Sequence, residues 1–159
     1  MNITADSFRQ TLRRWASGVT IVTFQDDEGT HGLTVSAFLS VSMTPPLVLV
    51  SVDKRTNSHP RLLEVKRYGV SILAAEQQRV SNHFAGWDDT FKPVFATLAD
   101  FPVLDGAAAN LVCKLHAQHD GGDHTLFVGE IEQVSWLEDA EPLIYYDGAY
   151  RRLEPKDES

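Results

Sequence analysis

Three stretches of this chain hold side chains whose types and spacing could do chemistry. Asp53-Lys54-Arg55-Thr56-Asn57-Ser58 crowds an acid, two cations, a carboxamide and two hydroxyls into one turn. Ser58 reads as the N-cap of a helix with Pro60 in its first turn. A cationic, hydroxyl-rich turn feeding a helix start suits a phosphate. It equally suits an ordinary surface turn with a capping serine. The second stretch is His116, His119, Asp120, Asp123 and His124 around Gly121-Gly122. Histidines and carboxylates could hold a metal. A glycine turn, however, collects polar residues at a hairpin tip in any case, and no cysteine joins them. The third, Gly32-Leu33-Thr34-Val35-Ser36-Ala37, mixes apolar and hydroxyl residues directly after a glycine. Such a glycine lets the backbone come close to a ligand. There is no G-x-G-x-x-G, no Walker loop and no G-x-S-x-G, so dinucleotide-fold, P-loop and serine-hydrolase readings have no motif behind them.

The elements that must position these residues are mostly strands. Thr4–Ala16 predicts an amphipathic helix, capped by Thr4, ended by Gly18, with Phe8, Leu12 and Trp15 on a core-facing side. Val19–Phe24 and Thr30–Phe38 predict a hairpin around Asp26–Gly29. Leu39–Met43 and Leu47–Val52 continue the sheet, the latter entered through Pro45-Pro46. Ser58–Lys66 predicts a short helix, Tyr68–Leu73 a strand, and Glu76–Ala85 a helix closed by Gly86. Residues Trp87–Phe101 read as irregular. Leu111–His119 and Thr125–Trp136 form a second hairpin across Gly121-Gly122. Pro142–Tyr146 and Tyr150–Leu153 are short extended pieces around Asp147-Gly148, and residues 154–159 a frayed tail. Many strands at regular spacing with few short helices predict a mainly β barrel in one domain, not alternating β-α units.

Bulk properties narrow the partners. The chain has 159 residues, the length of one domain, and is 43% hydrophobic and 23% charged. Its 14 basic and 22 acidic residues give a net charge of −8, which argues against a general nucleic-acid or anionic-membrane surface. An anionic ligand would need local positive charge, at Lys54-Arg55 or Arg151-Arg152. The single cysteine, Cys113, excludes an internal disulfide and fits a reducing cytoplasm. Its place in an alternating apolar strand predicts core packing. No signal peptide and no membrane-length apolar run is visible.

Gly32–Ala37, the Ser42…Pro45-Pro46 step, the strand to Ser51 and the Asp53–Ser58 turn, in that order, resemble the short-chain flavin reductases, which supply reduced flavin to two-component monooxygenases. The resemblance runs from about Phe8 to Leu153. It implies the FMN-binding split β-barrel, a homodimer, and hydride transfer from NADH to FMN or FAD by positioning alone, with no protein acid or base. By the same resemblance the flavin ring lies along Thr34, Val35, Ser36 and Ala37, with Ser51, Val52 and Asp53 as the adjoining wall. Lys54, Asn57 and Ser58 hold the phosphate, and His83 and Phe84 close the pocket. Gly122-Asp123-His124 matches the family's Gly-Asp-His nicotinamide motif, with Tyr146, Tyr150 and Arg151 nearby. Two departures stand out: Val35-Ser36-Ala37 replaces the usual small-Asn-Ser run, and Thr56 stands where serine is common. Competing uses of the same features are a pyridoxamine-phosphate-oxidase-like flavoenzyme and a non-catalytic flavin-binding electron carrier.

Overall fold

The computed structural model describes residues 2–154; the remainder of the predicted tail, 155–159, lies outside the described residues. Helix α1 (Ala5–Leu12) opens with Thr4 as a capping box: the Ser7 amide donates to the Thr4 hydroxyl at 3.1 Å and the Thr4 amide to Ser7 Oγ at 3.0 Å. This closes two of the amide donors a helix start leaves open. The helix ends at Arg13, well before Gly18.

Strands follow in order: β1 (Ser17–Gly18), β2 (Thr20–Asp26), β3 (Gly29–Val35), β4 (Phe38–Met43) and β5 (Pro46–Asp53). After helix α2 (His59–Leu62) come β6 (Arg67–Ile72) and helix α3 (Gln78–Phe84). Then come β7 (Phe95–Leu98), β8 (Phe101–Leu104), β9 (Ala109–Gly121), β10 (His124–Trp136), β11 (Ile144–Tyr146) and β12 (Ala149–Arg151). Seven strands form one antiparallel sheet in the order β3-β2-β6-β9-β10-β5-β4. The mainly β prediction therefore holds, with short helices. The ladder is open, with β3 and β4 as its two edges.

The core explains why the central strands read as apolar runs. Thr20–Phe24 is buried at every position, because β2 has apolar packing on both faces. Val22 and Phe24 meet Tyr68, Val70, Val50, Val52, Cys113 and Phe127 on one face. Val19 and Ile21 meet Leu73, Val80, Leu104 and Leu143 on the other. Cys113 is fully buried, as the alternation predicts. Burial pushes its thiol pKa up to about 12. Gly129 is glycine because an added Cβ would collide with the Tyr68 hydroxyl and stand 2.7 Å from Cys113 Cβ.

Several local expectations are corrected. Phe8, Leu12 and Trp15 are not core: all three are exposed, Trp15 by 75%. Their helical spacing marks a shared face, and that face borders a groove. The Thr30–Phe38 strand breaks at Ser36-Ala37, between β3 and β4. The predicted Ser58–Lys66 helix is one turn long. Ser58 is itself helical (φ −78°, ψ −24°) and makes no capping bond. The supposedly irregular 87–101 segment contains β7 and leads into a β7–β8 hairpin through Ala99 and Asp100, both at positive φ. No helix of the described residues is long and apolar enough to cross a membrane.

Candidate functional site

The first two stretches singled out by their chemistry meet, although some 70 residues separate them. Strands β5 and β10 pair so that Asp53 lies opposite His124, and the chain leaves both at the same end of the sheet. The Lys54 amide donates to the Asp123 carbonyl at 2.9 Å. The Lys54 ammonium donates to the Gly122 carbonyl at 2.7 Å and makes a short ion pair with Asp120. That contact holds the Asp120 carboxyl below its ordinary range. Lys54 thus faces the hairpin tip. Arg55 turns the other way, onto Asp53, at 2.6 Å. Hydrogen bonding from Arg55 holds the Asp53 carboxyl far below the usual carboxylate range.

The tip turns at Gly122, whose φ of 75° suits glycine. His124 follows, half-buried, with Nδ1 2.7 Å from Asp123 Oδ1. Beneath the turn sits His59, buried, its Nε2 2.8 Å from Thr125 Oγ1 and its ring against the edge of Phe127. Nothing in the sequence pattern flagged His59 as an anchor; only the fold brings it under β10. The histidines face different partners: His116 Nδ1 is 3.9 Å from Glu130 Oε2, and His124 is tied to Asp123. Among the described residues no group of three metal-capable side chains converges.

The third stretch borders three concavities. The smallest, of about 270 Å³, lies where Ser36 meets Trp15, Gly18 and Ile72; the other two hold more of the predicted site residues. One, of about 750 Å³, is lined by Ser36, Ala37, Leu49, Ser51, Leu126 and Tyr146, and roofed by Phe8 and Leu12 of α1 and by Trp15 just beyond it. Its floor is fixed where the Ser51 amide donates to the Ala37 carbonyl at 3.0 Å, joining the β3–β4 break to β5. The size and the apolar walls with a few hydroxyls match those of a small-molecule site. The other, of about 380 Å³, lies along β3 and holds Gly32, Ser58, His83 and Phe84 together. A Cβ on Gly32 would stand 2.6 Å from the Phe84 ring. The close approach predicted for this glycine is therefore filled by the protein's own aromatic ring.

Helix α3 is locked to β3 and β12. Thr34 Oγ1 donates to the Ser81 carbonyl at 2.7 Å. The Tyr150 hydroxyl lies 2.8 Å from Ser81 Oγ and donates to Asn82 Oδ1 at 2.8 Å. After α3, Asp88 knots the following loop. Its carboxylate accepts from the Thr90 hydroxyl at 2.7 Å and from Arg79 at 3.0 Å. The Thr90 bond leads in pulling its pKa down to about 2. His83 Nδ1 is 2.9 Å from the Asp88 carbonyl, with its ring edge-on to Phe84 and Phe91.

The predicted residues thus divide. Ser36, Ala37, Ser51 and Tyr146 share the larger groove, while Ser58, His83 and Phe84 share the smaller one. Val35 and Val52 point into the core, so only their main chain can face a ligand. The Thr34 and Tyr150 hydroxyls are committed to α3. Asn57 and Arg151 are exposed. Tyr145 of the groove, and its α1 roof, escaped the sequence reading. The roof looked like a core stripe, because spacing reports a face and not what covers it.

Residues 12–154 match the flavin reductase like domain. An NADH-dependent flavin reductase from Rhodococcus sp. is 45% identical over 156 residues, covering 96% of this chain and 88% of that protein. The reductase component of 4-hydroxyphenylacetate 3-monooxygenase from Thermus thermophilus is 40% identical, covering 93% of this chain and 96% of its own. The Streptomyces globisporus NADH:FAD oxidoreductase SgcE6, solved in complex with NAD and FAD fragments, superposes with a TM-score of 0.84 at 34% identity, over 99% of each chain. With a domain match spanning nearly its whole length, this chain belongs to the flavin reductase like family.

Proposed function

We propose that this chain is an NADH-dependent flavin reductase that works as a cytoplasmic homodimer and supplies reduced FMN or FAD to a flavin-dependent monooxygenase. The observation that carries the reading is the meeting of the Asp53–Ser58 turn with Gly122-Asp123-His124 beside the groove that holds Ser36, Ala37 and Ser51. Bound flavin supplies the hydride acceptor. The protein's part is placement. Ser36, Ala37 and Ser51 offer hydroxyls and main-chain groups along one edge of a planar ring. Leu49, Leu126 and Trp15 exclude water from its faces. Asn57 and Ser58 receive the phosphate. His124, oriented by Asp123, positions the nicotinamide nucleotide, with Tyr146 lining the groove beside it. Holding two planar groups in contact accounts for most of the acceleration such a transfer needs.

The homodimer rests on exposed apolar surface. Phe8 and Leu12 on α1, Trp15 just after it, and Leu39, Val41 and Met43 on the edge strand β4 are all exposed. A second copy covering them would bury the groove roof and blunt the sheet edge.

The test is steady-state NADH oxidation with FMN, FAD and riboflavin side by side. Turnover rising with added free flavin is expected. A tightly held yellow flavin with no NADH consumption would make the protein an electron carrier. Oxidation of a phosphorylated pyridoxal relative in place of NADH would make it the oxidase instead.

A further inference from the structure

We infer that Lys54 is a positioning residue for His124, clasping the nicotinamide-side hairpin tip, and not a ligand of the flavin phosphate. The inference rests on the reductase reading for what His124 does. The clasp itself rests on geometry.

A lysine ammonium has three protons to donate. Two of them are directed at the tip, to the Asp120 carboxylate and the Gly122 carbonyl. The Lys54 amide adds a third bond, to the Asp123 carbonyl. One residue therefore holds the chain on both sides of the turn, at positions 120, 122 and 123. The turn needs holding. Gly121 and Gly122 are adjacent, and glycine carries the largest backbone freedom of any residue. The ladder already holds His124 on both sides, opposite Asp53 and Gly121, so the freedom left is that of the 120–123 turn, and there the Lys54 ties act. The other charged groups nearby are already paired: Asp53 with Arg55, and Asp123 with His124. Asp120 is 78% exposed and Lys54 38% exposed at the side chain. A pair this open adds little to global stability, so its effect is local, on where the tip sits. The clasp adds a side-chain tie to the β5–β10 pairing that already joins the turn carrying Asn57 and Ser58 to the tip carrying His124.

The experiment compares wild type with Lys54→Met, Asp120→Asn and the double variant. Each is assayed for NADH oxidation with FMN and with riboflavin. Amide hydrogen exchange at residues 121–124 is followed in parallel. Each single variant is expected to raise KM for NADH about three- to tenfold with kcat little changed. The double variant should be no worse than either single one. The ratio of KM values for FMN and riboflavin should stay at the wild-type value, and exchange at 121–124 should quicken at an unchanged melting temperature. A Lys54→Met enzyme that loses FMN but not riboflavin, beside an Asp120→Asn enzyme with normal KM for NADH, would make Lys54 a phosphate ligand and overturn the inference. Unchanged exchange at the tip would overturn it even if NADH is not the donor. Absence of NADH oxidation in wild type would count against the reductase reading alone.

Discussion

The centre of the large sheet and the apron formed by α1 and β4 are built from the same kinds of residue and meet opposite fates. Phe127, Tyr68 and Val70 are fully buried, whereas Phe8, Trp15, Leu39 and Met43 stand in solvent, Met43 by 89%. The difference is neighbours. Strands β2, β6, β9 and β10 have partners on both edges and packing on their faces. Helix α1 touches the body mainly at its end. There Arg14 reaches Asp147 at 3.4 Å and the Asp147 amide donates to the Arg13 carbonyl at 3.2 Å. The centre supplies stability. The apron forms the wall of the larger groove and offers a surface to a second copy.

The sharpest way to break this contrast is to truncate one aromatic in each region. Phe127→Ala should cost about 3–5 kcal/mol in chemical denaturation, since it opens a cavity in a packed interior. Trp15→Ser should stay within about 0.5 kcal/mol on the isolated subunit. It should instead weaken self-association in sedimentation and raise KM for flavin. Equal stability losses would mean that the two regions are energetically alike. A smaller effect is expected where core and site touch. Gly32→Ala drives a methyl into the Phe84 ring and must push it aside. KM for flavin should rise several-fold while the melting temperature moves by a few degrees at most, and an unchanged KM would remove Phe84 from the site. The smallest effect belongs to pH. Folding raises the Cys113 thiol from its ordinary 9.0 to about 12. The unfolded chain therefore releases that proton first. Its contribution to stability is complete below pH 9 and is lost as pH climbs toward 12. The denaturation midpoint should fall between pH 8.5 and 10, and Cys113→Ala should flatten that slope.

The sheet was legible because its strands are long, β-branched and bounded by glycine or acidic turns, as at Asp26–Gly29 and Gly121-Gly122. The β7–β8 hairpin was not, because Ala99 and Asp100 adopt positive φ without the Asn-Gly pair that advertises such a turn. Ser58 carried a capping residue's identity but not its role. The helix it precedes is a single turn, and its backbone is already helical. The family signature picked out Ser36, Ser51 and His124 as side chains of interest. It could not say that Thr34 would spend its hydroxyl on α3, or that Val35 and Val52 would face the core.

By itself, then, the order of residues determined which segments extend, which turns need glycine, where the apolar strands run and which family the chain resembles. Those are local properties, decided by each residue's backbone preference and its immediate neighbours. Only the tertiary structure decided that Lys54 would meet Asp120 and Gly122, that His59 would lie beneath Thr125, and that the stripe on α1 would face a groove instead of a core. Each of these depends on strand register and on which surfaces come to rest against one another, and such long-range contacts leave no periodic trace in the chain.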